Sequence, residues 1–247
     1  MLNHSSNSLP RLYADLAWTW PIISPPEDYI DEAEQFARLM IENVRIEIKT
    51  LLDLGCGGGH NDHTLQKHFQ VTGVDLSPAM LDLARQLNPG VTYLIGDMCN
   101  LQLEERFDAV LIADSIYYML SEVELKAAFQ TAFDHLKPGG VFCTYAEYFK
   151  ETFQNNQTHF STHQKGDIEI TFIENEYDPD PEDTVFEYTF VYLIRRNGQL
   201  SVEVECHQIG LFPQGTWQQL LQEVGFKVRI VQYEGEDIPV FVCIKPN

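Results

Sequence analysis

The stretch Leu51-Leu52-Asp53-Leu54-Gly55-Cys56-Gly57-Gly58-Gly59-His60 constrains this chain more than any other. An apolar run ending in closely spaced glycines reads as a buried strand that turns at once into a helix. Glycine admits positive φ and lets backbone N–H groups and the helix N-terminus approach a ligand with no Cβ in the way. In open α/β sheets such a turn lies at the carboxyl end of the strand, where ligands bind.

The sequence around it keeps an α/β rhythm. Over residues 50–147 short apolar runs alternate with amphipathic segments, the pattern of β-α-β units around a parallel sheet. A helix of about ten residues is expected from the glycines through Phe69, followed by a second strand over Gln70–Asp75. Ser77 can cap the next helix with Pro78 at its first position, and Leu81, Ala84 and Leu87 give that helix an apolar stripe. Residues 91–97 and 107–114 read as the third and fourth strands. Val123, Ala127, Phe129, Ala132, Phe133 and Leu136 pattern a helix that stops before Pro138-Gly139-Gly140, and residues 140–148 make the fifth strand.

Past Lys150 the texture changes. Residues 151–167 are polar and without helical period, and three β-rich runs follow at about residues 167–175, 184–196 and 199–209. Asn197-Gly198 between the last two is a strong hairpin signal. A small antiparallel insertion over the carboxyl edge of the sheet is therefore expected. Residues 215–226 restore helical period with Gly225 as the stop, and residues 227–234 and 239–246 are two final strands. The fold class is α/β: a Rossmann-like, seven-stranded, mostly parallel sheet with helices on both faces, plus the insertion after strand five. The expected division is an N-terminal helical lid at 1–48, a Rossmann-like domain at 49–150 and 210–247, and an antiparallel insertion at 151–209 that covers the active site.

Charge narrows the partners. Sixteen Lys and Arg against 37 Asp and Glu give a formal charge of -21, which repels phosphate backbones and anionic bilayers and argues for no nucleic acid and no membrane. The five cysteines, Cys56, Cys99, Cys143, Cys206 and Cys243, are scattered, with no pair at metal-ligand spacing. Reduced thiols, no metal and a cytoplasmic setting are expected. The N-terminus lacks a secretory pattern, and no stretch approaches a membrane-spanning apolar run.

The glycine loop is not a dinucleotide fingerprint. His60 stands where a third glycine would fall, and Asp53 enters the loop, where it would repel a pyrophosphate. An acid there suits a ligand with a positively charged amine, such as the methionine tail of S-adenosyl-L-methionine. Asp75, at the end of strand two, can accept both hydroxyls of a ribose, and Asp97 and Met98 after strand three suit an adenine amino group and ring.

These segments, with "VTGVDLSPAMLDLAR", "GDMCNL", "FDAVLIADSIYYML" and "LKPGGVF", resemble the class I S-adenosylmethionine-dependent methyltransferases in order and spacing over about residues 50–148. The resemblance implies S-adenosyl-L-methionine as cofactor. Asp53, Gly55, Cys56 and Gly57 would hold its methionine end and Asp75 its ribose. Leu76, Met80, Asp97 and Met98 would hold the adenine, with Ala113 and Asp114 as the floor below the sulfonium. The flanks "YADLAW", "EDYIDEAEQF" and "HQIGLFPQGTWQQLLQEVGF" are similar to the aminosugar N-methyltransferases, which implies that Tyr13 and Tyr29 come from a lid over the donor and His207 from the inserted strands. Tyr118, Tyr145 and Ile238 depart from that group, which carries His, Glu and Arg there.

Methyl transfer to an amine needs the nitrogen lone pair free, and Tyr118, His207 and Tyr13 are the candidate proton acceptors. Trp18 and Trp20 join these tyrosines as faces that could surround a cation, and Glu147 follows strand five near the expected acceptor. The reading is a small-molecule N-methyltransferase acting on an amine such as an aminosugar. O- or C-methylation of another metabolite, and a non-catalytic S-adenosylmethionine-binding protein, stay open alternatives, as does a homodimer.

Overall fold

The computed structural model describes residues 9–233 and 238–247. Residues 1–8 of the expected lid and residue 234, the end of an expected strand, lie outside the described residues. The first elements are short: 3-10 turns at Arg11–Tyr13, Ala17–Thr19 and Pro26–Tyr29, with helix α1 at Trp20–Ile23, lead into helix α2 at Ile30–Asn43.

The β-α-β region then begins with β1 (Thr50–Leu54), α3 (His60–Leu65), β2 (Gln70–Asp75), α4 (Pro78–Leu87), β3 (Thr92–Ile95) and β4 (Phe107–Ile112). It continues with α5 (Glu122–His135) and β5 (Leu136–Tyr145) and closes, after the insertion, with α6 (Gln214–Val224), β10 (Lys227–Gln232) and β11 (Pro239–Ile244). The strand order is β10-β11-β5-β4-β1-β2-β3, with β11 antiparallel to both neighbours and the other pairs parallel. This is the expected seven-stranded sheet. β4 is buried at every position, which is why it reads as a continuous apolar run. Ser77 caps α4 by accepting from Met80 N at 3.0 Å, and Gly225 ends α6 at φ 115°.

Three expectations need correction. The helix after the glycines spans six residues, not ten, because the chain turns between Gln66 and Phe69 to enter β2. On α5 the buried stripe is Leu125, Ala128, Phe129 and Ala132, whereas Val123 is 79% exposed. The insertion has four strands, not three: β6 (Gln157–Lys165), β7 (Ile168–Tyr177), β8 (Val185–Arg196) and β9 (Gln199–Gly210) pair in sequence order. β6 is an edge strand with solvent reaching most of its side chains on both faces, so its pairing rests on the backbone and leaves no apolar alternation to read.

The insertion touches the segment after β4 through His207 on Tyr118 and Thr184 on the Leu120 carbonyl, and the N-terminal segment packs against its inner face. Ile170, Phe172, Phe190, Tyr192 and Ile194 on its inner face bury Leu12, Leu16 and Ile23 of the N-terminal segment. At about 1.5–3 kcal/mol per buried apolar side chain, this seam fastens the segment between the two sheets. The β8–β9 hairpin turns at Asn197 (φ 51°) and Gly198 (φ 78°), the paired positive φ of a type I′ turn. Among the described residues no helix is long and apolar enough to cross a membrane.

Candidate active site

The carboxyl ends of β1 and β2 are locked together by backbone. In register Leu54 faces Val74, and Gly55 and Cys56 donate to the Val74 carbonyl at 2.6 and 3.0 Å. The loop beyond opens onto a cavity lined by Asp53, Gly55, Cys56, Gly57, Asp75, Leu76, Met80, Met98, Ala113, Asp114, Tyr118, Tyr13 and Tyr29. Twelve of those thirteen, all but Tyr118, are sequence-expected donor contacts. Two expected residues stand outside the lining. Asp97 turns its carboxylate back on its own turn, accepting from Cys99 N at 2.8 Å and Asn100 Nδ2 at 2.9 Å, and His207 lies behind Tyr118.

At Gly55 the loop leaves no room for a side chain. Gly55 has φ +77°, and a Cβ there would sit 2.0 Å from Ser115 Oγ. Ser115 and His60 line the cavity and escaped the sequence reading; the available signal was position alone, directly after Asp114 and after the glycines. His60 stacks on Trp20 with centroids 5.9 Å apart and meets Tyr29 edge-on at 5.2 Å. Burial pushes its pKa down to about 4, so the lid rests on a neutral imidazole.

Asp75 is held by the loop it faces. Its carboxylate accepts from Gly57 N at 2.9 Å and Ser77 N at 2.8 Å. Each oxygen keeps a lone pair for a further donor. Burial raises its pKa, opposed by these N–H groups. Asp114 accepts from the Tyr145 hydroxyl, and burial raises its pKa also. The cavity wall carries three aspartates, and none of its described lining residues is Lys or Arg.

Behind Asp53 lies a second acid that the sequence did not single out. Asp62 is fully buried, and neither carboxylate oxygen meets a donor. Burial raises both pKa values, and the Asp62 charge raises Asp53 further, with Asp62 reaching about 6 from an ordinary 3.8. A folded-state pKa above the unfolded value means that the native state binds more protons, so stability falls as pH rises from about 4 through 6. Asp62→Asn is expected to shrink that decline to the part that burial of Asp53 causes and to raise stability at pH 7 by about 1–3 kcal/mol, read from urea midpoints on either side of the window.

Tyr118 joins the lid to the insertion. Its hydroxyl lies 2.8 Å from that of Tyr13 and 2.6 Å from His207 Nδ1. The Tyr13 carbonyl accepts from Ser77 Oγ at 2.5 Å, so the α4 cap also anchors the lid. A second cavity, of 480 Å³, opens beside β5 and the insertion and is lined by Glu147, Glu174, Glu176, Tyr148, Phe153 and Tyr188, among others. Tyr148 donates to Glu176 at 2.9 Å and Tyr188 to Glu174 at 3.0 Å. Glu147, expected near an acceptor, belongs to this second cavity.

Residues 51–140 match the family described as methyltransferase domain. A putative methyltransferase of Geobacillus sp. (strain WCH70) is 30% identical over 190 residues, covering 73% of this chain and 74% of that protein. The chain belongs to the class I S-adenosylmethionine-dependent methyltransferases. A Streptomyces venezuelae protein named dTDP-3-amino-3,4,6-trideoxy-alpha-D-glucopyranose N,N-dimethyltransferase is 36% identical over 129 residues, 51% of this chain and 54% of that protein. The match thus spans about half of that relative's length. The fold of this methyltransferase is that of the sugar N-methyltransferase KedS8 from Streptoalloteichus sp ATCC 53650, with TM-score 0.86 and 24% identity over 100% of this chain and 98% of that one.

S-adenosylmethionine is the methyltransferase's cofactor, and the cavity suits it. Gly55 and Gly57 line the cavity with backbone alone, and three carboxylates with no Lys or Arg among the described lining residues favour an ammonium and a sulfonium over any phosphate.

Proposed function

We propose that this methyltransferase methylates the nitrogen of a small-molecule amine, an aminosugar in the first instance. The observation that carries the reading is the Tyr118 hydroxyl in the cavity wall, in contact with both Tyr13 and His207. The name of the Streptomyces venezuelae relative supports the aminosugar. The carboxylate and aromatic lining of the second cavity supports a cationic acceptor.

When bound, the cofactor supplies a methyl group on a sulfonium, transferred by in-line displacement. The protein's part is alignment and proton handling. Asp53, Gly55, Cys56 and Gly57 hold the amino-acid end, Asp75 the ribose, and Leu76, Met80 and Met98 the adenine. Asp97 stands outside the lining and reaches the adenine only if its turn moves toward the cavity. Ala113 and Asp114 form the floor, and Tyr13 and Tyr29 close the lid. The proposed division of the chain stays a lid at 1–48, a donor domain at 49–150 and 210–247, and an insertion at 151–209. The five free cysteines support a reducing, cytoplasmic setting, and light scattering checks the homodimer.

The test is a screen of amine, hydroxyl and carboxylate acceptors with mass spectrometry of the products. Methyl groups on amine nitrogen are the expected result, and methylation confined to oxygen or carbon overturns it. Asp75→Ala is expected to weaken S-adenosylmethionine binding about 10–100-fold by calorimetry. It removes a ribose acceptor and strands the Gly57 and Ser77 N–H groups, at about 1–3 kcal/mol each if buried.

A further inference from the structure

Glu205 is a buried carboxylate on β9 that no role above uses, and it contacts three separate parts of the molecule. Its Oε2 lies 2.9 Å from His207 Nε2, off the hydrogen-bond axis. Its Oε1 accepts from the Tyr192 hydroxyl at 2.8 Å. Both oxygens accept from the Leu12 backbone N–H, at 3.1 and 3.2 Å. Leu12 is the residue before Tyr13, so one carboxylate holds the lid backbone on one side and the imidazole behind Tyr118 on the other. The pKa of Glu205 is lowered: burial opposes the anion, but His207, Tyr192 and the Leu12 N–H together outweigh it.

We propose that Glu205 is a positioning residue that makes lid closure and assembly of a proton relay a single event. The inference rests on the amine-methylation reading. An amine acceptor arrives as an ammonium and must lose a proton before its nitrogen can attack. Burial drives the Tyr118 pKa far up, so its phenol stays neutral and cannot store that proton. Tyr118 instead takes the ammonium proton on oxygen as it passes its own proton to His207 Nδ1. The acceptor leaves as neutral amine, Tyr118 as phenol and His207 as imidazolium, so atoms and charge balance. A buried imidazolium needs a counter-charge, and Glu205 provides it at 2.9 Å. When the lid leaves, Glu205 loses the Leu12 N–H and Tyr118 loses the Tyr13 hydroxyl, so the relay is complete only in the closed enzyme. The titratable groups bearing on it are Tyr118 after β4, Tyr192 on β8, Tyr13 in the lid with Asp75 and Asp114 acting on Tyr13 across the cavity, and the Arg11–Glu203 ion pair flanking Leu12.

The experiment uses the full chain with an amine that the acceptor screen shows to be methylated. Glu205→Gln keeps the shape and removes the charge. Its kcat is expected to fall about 10–100-fold at neutral pH, with the deficit growing toward acid pH and closing toward alkaline pH, where the amine arrives already deprotonated. Hydrogen exchange at the Leu12 amide is expected to speed up about tenfold or more, because an amide oxygen is a weaker acceptor than a carboxylate. His207→Asn, a second route should the Glu205 variant fail to fold, is expected to reproduce the pH-dependent loss while leaving Leu12 exchange within about threefold of the parent. A purely structural role lowers kcat equally at every pH, and that outcome in either variant overturns the proposal, as does unchanged Leu12 exchange in Glu205→Gln. If the parent enzyme methylates no amine, the acceptor reading has failed; the exchange measurement still decides whether Glu205 holds the lid, and unchanged exchange sinks that too.

Discussion

Gly55→Ala is expected to cost about 2–5 kcal/mol of stability and to reduce S-adenosylmethionine affinity by more than about 100-fold. Two independent penalties coincide at this position. The backbone sits at φ +77°, a left-handed conformation that costs a non-glycine residue about 1–2 kcal/mol. The new Cβ would also stand 2.0 Å from Ser115 Oγ, 2.4 Å from Ser115 Cβ and 2.8 Å from Met98 Cε. Met98 is flexible and can give way. Ser115 cannot easily, because its hydroxyl donates to the Leu54 carbonyl at 3.1 Å at the end of the same strand. Relief must come from moving the loop, which would pull the Gly57 N–H from Asp75 and shift Asp53 in the cavity wall. Thermal unfolding and calorimetry together check this, and a variant that binds the cofactor as tightly as the parent would show that the loop is not the cradle. Gly57 is the internal contrast: with φ +51° but its nearest neighbour Met80 Cε at 3.8 Å, alanine there meets the backbone penalty without the clash.

Tyr118→Phe is expected to lower kcat for an amine acceptor about 100-fold or more at neutral pH, with cofactor affinity within about threefold of the parent. The ring fills the same volume, so the cavity keeps its shape; only the hydroxyl between Tyr13 and His207 is lost. The Tyr13 hydroxyl and His207 Nδ1 each lose a hydrogen bond, at 2.8 and 2.6 Å respectively, and the path from acceptor nitrogen to imidazole is cut. Rates measured across pH separate this from a packing defect, since the variant should recover as the amine deprotonates unaided. Full activity in the phenylalanine variant would remove Tyr118 from the chemistry and leave alignment alone to account for turnover.

Most of the first cavity's lining was legible because local rules made it so. A glycine turn, Ser77 as a helix cap and Asp75 at a strand end are short-range features whose geometry follows from a few residues, and the parallel sheet then brings their ends together. The wall at Tyr118 was legible only in part. Tyr118 and His207 could be named as candidates, but nothing in their 89-residue separation says that they touch. Glu205 and Asp62 were not singled out at all, since one acid among many in an acidic chain carries no mark of being buried. β6 was missed for a related reason: a solvent-bathed edge strand is specified by its partner's backbone and not by its own side-chain pattern.

Sequence alone thus determined the seven-stranded sheet, the glycine turn and most of the side chains that line the cavity, because each depends on patterns repeated over a few residues. Only the tertiary structure decided that the N-terminal segment is clamped between the two sheets, that Asp53 has a buried acidic partner, and that Glu205 and His207 stand behind Tyr118. Those contacts join elements far apart in the chain, where burial and distance exist only once the whole core has closed.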